Sequence, residues 1–327
     1  MDRPEDPFFV EPWALRIEAS SFCQLKCPTC PTTTGLTREV VGRGFLKARD
    51  FRDLLTNAPF PIKLVELANY GESFLNPEFL DILQIAAEHG VCVGVFSGAN
   101  LNNVREEVLE GLVKYGMLGI TCSIDGASQE TYSIYRRGGD YETVIANIEK
   151  INSYKAKYGT HRPRLTWQFV VFGHNEHEIE TARAKAESLG MAFFPKLSWE
   201  TGFSPVKDRE AVMRRTGMAA SNSSEFEQAT KTPYMDSICE QMWQFPQINF
   251  DGRVLGCCAN FWGEFGGDAF TDLSSALNSE KIRYARAMLS GQAPAREDIP
   301  CSTCDAYKSR LRNDNWVPAD ISSKIEF

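Results

Sequence analysis

Eight of the ten cysteines in this 327-residue chain fall into two groups, one near each end. The N-terminal group is Cys23, Cys27 and Cys30, and the C-terminal group is Cys239, Cys257, Cys258, Cys301 and Cys304. Clustered thiols in a reducing compartment more often bind metal than form disulfides. Cys92 and Cys122 each stand alone within an apolar run, which is typical of ordinary buried thiols. The two groups therefore predict two metal centres.

The N-terminal group has the spacing C-x3-C-x2-C and follows directly on a predicted strand. A cubane iron–sulfur cluster normally takes four thiolates, so three of them leave one iron without a protein ligand. The amine and carboxylate of S-adenosylmethionine (SAM) can chelate such an iron, and an electron passed to its sulfonium releases methionine and a 5'-deoxyadenosyl radical. The alternative is a structural zinc site whose fourth ligand comes from elsewhere.

The first two-thirds of the chain alternates apolar runs with amphipathic stretches, which is the pattern of a parallel β/α architecture. Helices are predicted over residues 76–90, 141–157 and 175–190, the first with Asn76 as its cap and Pro77 in its first turn. Six units favour an open, partial (β/α)6 barrel, in which chemistry gathers at the C-terminal ends of the strands. The six predicted strands span residues 15–19, 64–68, 91–96, 119–124, 165–172 and 191–197.

A polar stretch without periodicity, residues 204–233, separates this pattern from a Gly-rich, Cys-containing remainder. Within that remainder, residues 249–257 predict a hairpin that turns at Asp251-Gly252. We therefore predict a barrel domain over residues 1–215 and a small metal-stabilised domain over residues 216–327.

Charge and hydropathy exclude several classes of partner. The formal net charge is -8 and no run of Lys or Arg offers a phosphate-binding track, which argues against nucleic acid. Residues 1–10 lack the apolar core of a signal peptide, and no segment reaches the roughly 18 apolar residues that span a bilayer. We expect a cytoplasmic protein that binds neither nucleic acid nor membranes.

Motifs after the later strands, taken with the cysteine triplet, resemble those of the radical SAM superfamily. Residues 69–72 (NYGE) look like the family's GGE segment, with Tyr70 in place of the first glycine. Residues 97–100 (SGAN) stand where relatives often have Thr-Asn-Gly, and Thr29 stands where many carry an aromatic residue. Residues 123–126 (SIDG) and 132–139 are similar to the family's S-x-D-G and Y-x-x-x-R-x-G-G pattern, and residues 167–169 (WQF) on the fifth strand complete the run.

The resemblance implies a SAM-binding 4Fe-4S cluster held by Cys23, Cys27 and Cys30, and an external one-electron donor such as flavodoxin or ferredoxin. It implies that Glu72 meets the SAM amino group and that Ser123 and Arg136 bind the SAM carboxylate, a bond suited to a guanidinium. Taken singly, each has an ordinary alternative as a charge near a helix, a capping hydroxyl or a surface cation. The expected SAM contacts are Gly71, Glu72, Ser97, Ser123, Arg136 and Gln168.

The C-terminal cysteines resemble the SPASM or shorter twitch extension of radical SAM enzymes. This likeness implies one auxiliary 4Fe-4S cluster, for which a zinc ribbon is the alternative. The family pattern favours Cys257 over Cys258 as a ligand, which leaves the other thiol as a hydrogen donor to a substrate radical or as packing beside the cluster. The expected ligands are Cys239, Cys257, Cys301 and Cys304.

Cys258 and Arg137 are the predicted catalytic residues, and His174, Glu176 and Tyr234 are further polar candidates. The C-terminal spacing is similar to that of twitch-type aminocyclitol dehydrogenases and of SPASM epimerases. We therefore expect oxidation or epimerisation at a carbinol carbon of a small polyol, aminocyclitol or sugar-like metabolite, as in natural-product biosynthesis. The alternatives are a peptide-modifying maturase, disfavoured because residues 1–13 are too short for a leader-binding domain, and a zinc-stabilised binding protein without catalysis.

Overall fold

The computed structural model describes residues 6–199, 202–319 and 321, and its centre is one open sheet of eight strands. The strands are β1 (Ala14–Ile17), β2 (Leu64–Glu66), β3 (Cys92–Ala99), β4 (Gly119–Ser123), β5 (Arg164–Val171), β6 (Ala192–Leu197), β7 (Gln247–Ile248) and β8 (Val254–Gly256). Their spatial order is β6-β5-β4-β3-β2-β1-β7-β8, and every pair is parallel except β7 with β8. All six predicted barrel strands are present, and the prediction of an α/β fold with an unclosed parallel sheet is confirmed.

Thirteen α-helices accompany the sheet in the described part of the chain. They are α1 (Pro31–Thr34), α2 (Ala48–Asn57), α3 (Phe79–Glu88), α4 (Glu106–Lys114), α5 (Gln129–Tyr135), α6 (Tyr141–Tyr158), α7 (Ile179–Ser188), α8 (Arg209–Thr216), α9 (Ser223–Thr230), α10 (Gln241–Gln244), α11 (Leu273–Leu277), α12 (Glu280–Leu289) and α13 (Asp305–Asn313). Short 3-10 turns lie at Ser73–Leu75, Glu176–Glu178, Asp236–Glu240 and Pro300–Thr303. None of the helices described here is long and apolar enough to cross a bilayer.

The predicted helices are confirmed with small shifts at their ends. Asn76 precedes α3 as predicted, and its side-chain oxygen accepts a hydrogen bond from the Glu78 N–H at 2.8 Å. Residues 204–233, predicted only as an aperiodic boundary, contain the short helices α8 and α9. Each of these two helices has eight residues, and their caps are the side chains of Asp208 and Asn222. Such short polar helices give little periodic signal.

The two faces of the sheet differ because successive strand residues point in opposite directions. Leu15 and Ile17 of β1 and Val65 of β2 are buried in the hydrophobic core on the helix-facing side. Arg16 and Glu66 alternate with them and are adjacent in register, so both lie on the inner face of the open barrel. β1 and β2 therefore direct apolar side chains toward the helices and polar side chains toward the inside of the open barrel.

The C-terminal hairpin joins the barrel sheet directly. Arg16 pairs in register with Gln247 of β7, and β7 pairs antiparallel with β8. The turn falls at residues 249–252 as predicted, where the Gly252 N–H donates to the Asn249 carbonyl at 3.1 Å and Gly252 has φ 88°. The segment that carries Cys257 and Cys258 is thus attached to the edge of β1. The domain boundary near residue 215 stays a prediction.

A fully buried arginine connects the segment before β1 to the C-terminal helices. The Arg286 guanidinium of α12 donates to the carbonyls of Phe8, Met242 and Leu277 at 2.8–2.9 Å. Asn278 adds a two-way bond with the backbone of Val10, with distances of 2.8 and 2.9 Å. Burial lowers the pKa of Arg286 to about 9, since carbonyl oxygens satisfy its donors without neutralising its charge.

Candidate functional site

The N-terminal cysteines lie together on the loop that follows β1. Cys27 is buried, while Cys23 and Cys30 are half-buried. Burial raises the pKa of the Cys23 thiol to about 12, and the charges of Glu72, Cys27 and Cys30 act in the same direction. The three cysteines are therefore near neighbours, and a bound metal would favour the thiolate form of Cys23.

This donor set fits an iron–sulfur cluster. Within the described ranges, no three His, Cys, Asp or Glu side chains are placed as ligands of a single metal ion. A cubane makes no such demand, because each thiolate binds a different iron. Three soft thiolates of Cys23, Cys27 and Cys30 on one loop therefore suit a cluster with one open iron.

Glu72 is buried between two strand ends beside the triplet. Its carboxylate accepts a hydrogen bond from the Asn100 N–H at 2.7 Å and a longer one, 3.5 Å, from the Phe74 N–H. The Asn100 side chain in turn donates to the Cys23 sulfur at 3.8 Å. Burial raises the pKa of Glu72 to about 7, and these backbone donors oppose that rise. Glu72 and Asn100 thus form a polar wall next to Cys23.

Glu18 is a second buried carboxylate, which the sequence analysis did not single out. It follows β1 and accepts hydrogen bonds from the Tyr70 N–H at 2.8 Å and the Gly71 N–H at 3.2 Å. Gly71 is required there, because a Cβ on it would lie 2.0 Å from the Ser20 carbonyl oxygen. Glu18 therefore fixes the 69–72 loop against the strand that leads into the triplet. The signal available in the sequence was a carboxylate at the end of an apolar strand.

Replacing Glu18 should reveal its unusual ionisation. Burial raises the pKa of Glu18 from 4.5 to about 7, so the folded state keeps a proton that the unfolded chain has already lost. The proton-linked stability is complete below pH 4.5 and declines by roughly 1.4 kcal/mol per pH unit until about pH 7. Glu18→Gln mimics the protonated carboxyl. We therefore expect the melting temperature of the wild-type protein to fall relative to that of this variant between pH 5 and 7. The difference between the two melting temperatures should not change further between pH 7 and 8.

Glu78→Gln provides the matched control for this comparison. Glu78 is a surface carboxylate whose pKa is lowered by a hydrogen bond from the Ala48 N–H, so its contribution is constant above pH 5. A gap between wild type and Glu18→Gln that does not change over the whole range would mean that Glu18 is ionised throughout.

Arg136 connects a buried aspartate with the triplet. Its Nε donates to Asp125 at 2.6 Å, and another guanidinium nitrogen donates to the Cys27 sulfur at 3.9 Å. Asp125 is fully buried and also accepts from the Val170 N–H at 2.8 Å. Although burial lowers the pKa of Arg136, the charges of Asp125 and Cys27 keep it raised above its usual value. The cation is therefore held permanently beside the cysteines.

Ser123 and Gln168 form a neighbouring pair on β4 and β5. They are adjacent in register, and the Gln168 side-chain amide donates to the Ser123 hydroxyl at 3.3 Å. Gly98 of β3 has φ 124°, and a Cβ on it would lie 2.4 Å from that hydroxyl. A glycine at this position therefore lets β3 pass close to the pair.

A polar network that the sequence analysis missed crosses the inner face. Arg16 forms an ion pair with Glu66 at 2.6 Å, and Glu66 accepts from the Ser97 hydroxyl at 2.5 Å. Arg16 also donates to Gln241 at 3.5 Å, and the Gln241 amide donates to the Cys258 sulfur at 3.4 Å. Ser97 thus faces this network, and the network reaches the C-terminal cysteine segment.

Four C-terminal cysteines gather in a second site. Burial raises the pKa of Cys301 well above its usual value, and the charges of Cys257, Cys239 and Cys304 add to the effect. Burial also raises the pKa of Cys239, while the buried Arg310 beside it opposes the rise. This group has the four thiols that close a cubane.

Cys257 and its neighbour Cys258 have different surroundings. The pKa of Cys257 is raised by burial and by the charges of Cys258 and Cys239. Cys258 instead meets Gln241 through both its sulfur and its N–H, the latter at 2.9 Å, and its charge raises the pKa of Arg16 against the opposing effect of burial. Cys257 therefore belongs to the second group of thiols, whereas Cys258 faces the inner network.

The two cysteine sites are linked by the 69–72 loop. The Asn69 side chain donates to the Cys258 carbonyl at 3.0 Å, and the Tyr70 hydroxyl donates to the Asn260 carbonyl at 2.7 Å. Tyr70, the departure from the family's glycine, thus connects the loop held by Glu18 to the C-terminal segment.

The other polar candidates have local partners. The Arg137 side chain is exposed and donates to the Ile134 carbonyl at 3.4 Å, and His174 is hydrogen-bonded to the Ser204 hydroxyl at 2.9 Å. Glu176 accepts from the Lys207 N–H at 2.8 Å, and Tyr234 accepts from the Leu197 N–H at 3.2 Å. The catalytic role of Arg137 stays a prediction.

Comparisons with known proteins agree with this arrangement. The sequence profile of the Radical SAM superfamily matches residues 17–185, just over half of the chain. A tungsten-containing aldehyde ferredoxin oxidoreductase cofactor-modifying protein from Pyrococcus furiosus is 22% identical over 260 residues, covering 74% of this chain and 70% of that protein.

Two solved proteins share the fold. SuiB of Streptococcus suis bound to S-adenosylmethionine superposes with a TM-score of 0.64 at 16% identity, covering 93% of this chain and 75% of SuiB. SuiB is also known with the precursor peptide SuiA. BtrN in complex with AdoMet and 2-DOIA gives a TM-score of 0.50 at 14% identity, covering 93% of this chain and 94% of BtrN.

Proposed function

The chain belongs to the radical SAM superfamily, and from this we propose that it oxidises or epimerises a carbinol carbon of a small polyol, aminocyclitol or sugar-like metabolite. The observation that carries the proposal is the meeting of three loop cysteines with Glu72 and the Arg136–Asp125 pair. When bound, the cluster and SAM supply a 5'-deoxyadenosyl radical that can take a hydrogen atom from carbon.

The residues around the triplet would bind different groups of SAM. Cys23, Cys27 and Cys30 would hold the cluster. Glu72 would accept from the SAM amino group, and Arg136, kept cationic by Asp125, would bind its carboxylate together with Ser123. Gly71, Ser97 and Gln168 would complete the cradle, with Ser97 oriented by Glu66 and Gln168 by Ser123.

We assign an auxiliary 4Fe-4S cluster to the second group of thiols, Cys239, Cys257, Cys301 and Cys304. Four thiolates close the cluster, so it would exchange electrons without binding substrate. The Cys258 thiol, which faces the inner network, is then free to give a hydrogen atom to a substrate radical, which leads to epimerisation. Without such a donation, loss of an electron to the auxiliary cluster and of a proton to a base gives oxidation.

A small-molecule substrate is supported by the match over almost all of BtrN, which was solved with 2-DOIA. The second candidate is a peptide-modifying enzyme. It is favoured by the higher TM-score of SuiB, which was solved with a precursor peptide.

Anaerobic incubation with SAM, dithionite and a panel of polyols, aminocyclitols and precursor-like peptides tests the proposal. We expect 5'-deoxyadenosine to form and to increase with a polyol-type substrate. In heavy water, an epimerised product should carry deuterium from an exchangeable thiol, whereas an oxidised product should be lighter by two mass units. If only peptides increase the formation of 5'-deoxyadenosine, the protein is a peptide-modifying enzyme, the second candidate. A colourless, zinc-containing protein would instead favour the binding protein without catalysis.

An acidic electron donor would find a complementary surface beside Cys23. Lys26, Arg38 and Arg43 are exposed and line a cavity of about 140 Å3 that also contacts Cys23. None of the three forms an ion pair within the residues described, although the chain as a whole has a net charge of -8. We propose that flavodoxin or a ferredoxin docks on this cationic face.

Charge reversal on this face should slow reduction. We expect Lys26→Glu/Arg43→Glu to lower the rate of cluster reduction by flavodoxin by about tenfold at low salt, and high salt to reduce the difference between this variant and wild type. Stopped-flow absorbance would follow the reduction. Arg49→Glu/Arg52→Glu, which changes the net charge by the same amount at two exposed positions on α2, is the control. Equal slowing in this control would show that net charge alone determines the rate.

A further inference from the structure

The inner side of the barrel contains an unpaired cation. Arg16 is neutralised by Glu66 at 2.6 Å, and Arg136 is neutralised by Asp125 at 2.6 Å. Lys196 of β6 has no carboxylate within 4.0 Å among residues 6–199, 202–319 and 321. Unlike Arg16 and Arg136, Lys196 therefore has no carboxylate partner in the described part of the chain, and its charge is available to a ligand.

Strand register places Lys196 on the inner face. Lys196 is paired with Val170, and Phe194, two residues earlier, is paired with Gln168. Phe193, which points the opposite way, packs against Phe169 with ring centroids 5.8 Å apart and so marks the helix-facing side. Lys196 and Phe194 consequently share the face of Gln168.

The electrostatic neighbours of Lys196 agree with this position. Burial lowers the pKa of Lys196, the charges of Cys258 and Asp125 raise it, and those of Arg136 and Arg16 lower it further. The ammonium group therefore lies within electrostatic reach of both the predicted SAM site and Cys258. Asp125 is already bonded to Arg136, so it offers only partial compensation.

Two exposed aromatic residues lie within three positions of this cation along the chain. Phe194 and Trp199 are each 50% exposed, which is unusual for such large side chains in and beside a strand of a barrel. The Lys196 Nζ lies 5.6 Å from the centre of the Trp199 ring. A partly desolvated ammonium beside open apolar surfaces suits a ligand that has both an acidic group and a carbon skeleton.

We propose that Lys196 binds an anionic group, a carboxylate or a phosphate, on the substrate and so determines substrate class. The inference rests on the proposed function and narrows it. It selects acidic polyols or sugar derivatives over cationic aminocyclitols, because a second ammonium near Lys196 would be repelled. Phe194 and Trp199 would pack against the carbon skeleton.

Calorimetric titration of the reconstituted, SAM-bound protein tests this with glucuronate, glucose 6-phosphate, glucose and glucosamine. We expect at least one of the two anions to bind about tenfold or more tightly than glucose, and glucosamine to bind most weakly. The preferred anion identifies the acidic group. Lys196→Gln should abolish the preference, and Lys196→Arg should restore most of it. Lys155→Gln, which removes another partly buried lysine, should leave it intact.

Two results would overturn the inference: equal or no binding of all four probes, or a preference for anions that survives in Lys196→Gln. The formation of 5'-deoxyadenosine by the wild-type preparation separates these failures from failure of the proposed function. If the nucleoside forms while the probes are not discriminated, only the assignment of Lys196 is wrong. If no nucleoside forms, the radical chemistry itself is wrong.

Discussion

Anaerobically reconstituted Cys27→Ala protein should form no 5'-deoxyadenosine above the background of a reaction without enzyme. Cys27 is the most buried member of the triplet and lies beside Arg136, so its loss would remove one of the three proposed ligands of the SAM-binding cluster. We also expect the iron content to fall from about eight to about four atoms per chain, because the C-terminal cysteines are untouched. Liquid chromatography of the nucleoside and colorimetric iron analysis provide the two measurements.

Cys92→Ala is the matched control for this experiment. Cys92 begins β3 and is far from both groups in sequence, so its removal should leave nucleoside formation and iron content unchanged. Continued production of 5'-deoxyadenosine by Cys27→Ala would disprove the assignment of the triplet as the SAM-binding site.

Of the adjacent residues Cys257 and Cys258, we expect the first to be a cluster ligand and the second to be a free thiol. We expect Cys257→Ala to lose about half of its iron and to stop converting substrate, while SAM cleavage without product continues. Cys258→Ala should keep its iron, because Cys258 is bonded to Gln241 and faces the inner network. Iron analysis and electron paramagnetic resonance of the reduced proteins would separate the two variants.

The products formed by Cys258→Ala also distinguish epimerisation from oxidation. If the enzyme is an epimerase, this variant should lose product inversion and accumulate substrate-derived radical or quenched by-products, since its hydrogen donor is gone. If the enzyme is a dehydrogenase, oxidation should continue. Loss of iron in Cys258→Ala with retention in Cys257→Ala would reverse the assignment.

The strands and helices of the barrel could be predicted from the sequence because they produce local patterns. The strand predicted over residues 165–172 becomes β5 with a shift of one residue, and the strand predicted over residues 64–68 becomes the shorter β2. Hydrophobic periodicity indicates which side of a helix or strand is buried, and it can be read from residues that are close together in the sequence. The short polar helices α8 and α9 lack this signal and were missed.

The inner network could not be predicted, because its partners are distant in sequence. Arg16 and Gln241 are 225 positions apart, and Asn69 and Cys258 are 189 positions apart. A charged residue in an apolar strand shows that something must pair with it, but not which residue does. The family pattern favoured Cys257 over Cys258 as a ligand, but the contact of Cys258 with Gln241 could not be predicted, for the same reason.

Glu18 illustrates how a site residue can be overlooked. The family likeness pointed to residues 69–72, whereas the carboxylate that holds this loop follows β1 and accepts its hydrogen bonds from backbone N–H groups. Its importance comes from two N–H groups that would otherwise be buried without partners.

The position of β1 between β2 and β7 has a consequence for the order of events during synthesis on the ribosome. One edge of β1 is covered after residue 66 has been made, but the other waits for residues 247–248. That edge of β1 therefore stays open while residues 67–246 are made, and during this time the loop carrying Cys23, Cys27 and Cys30 is flanked on one side only. We therefore expect metal to reach this loop most easily before residues 247–248 emerge.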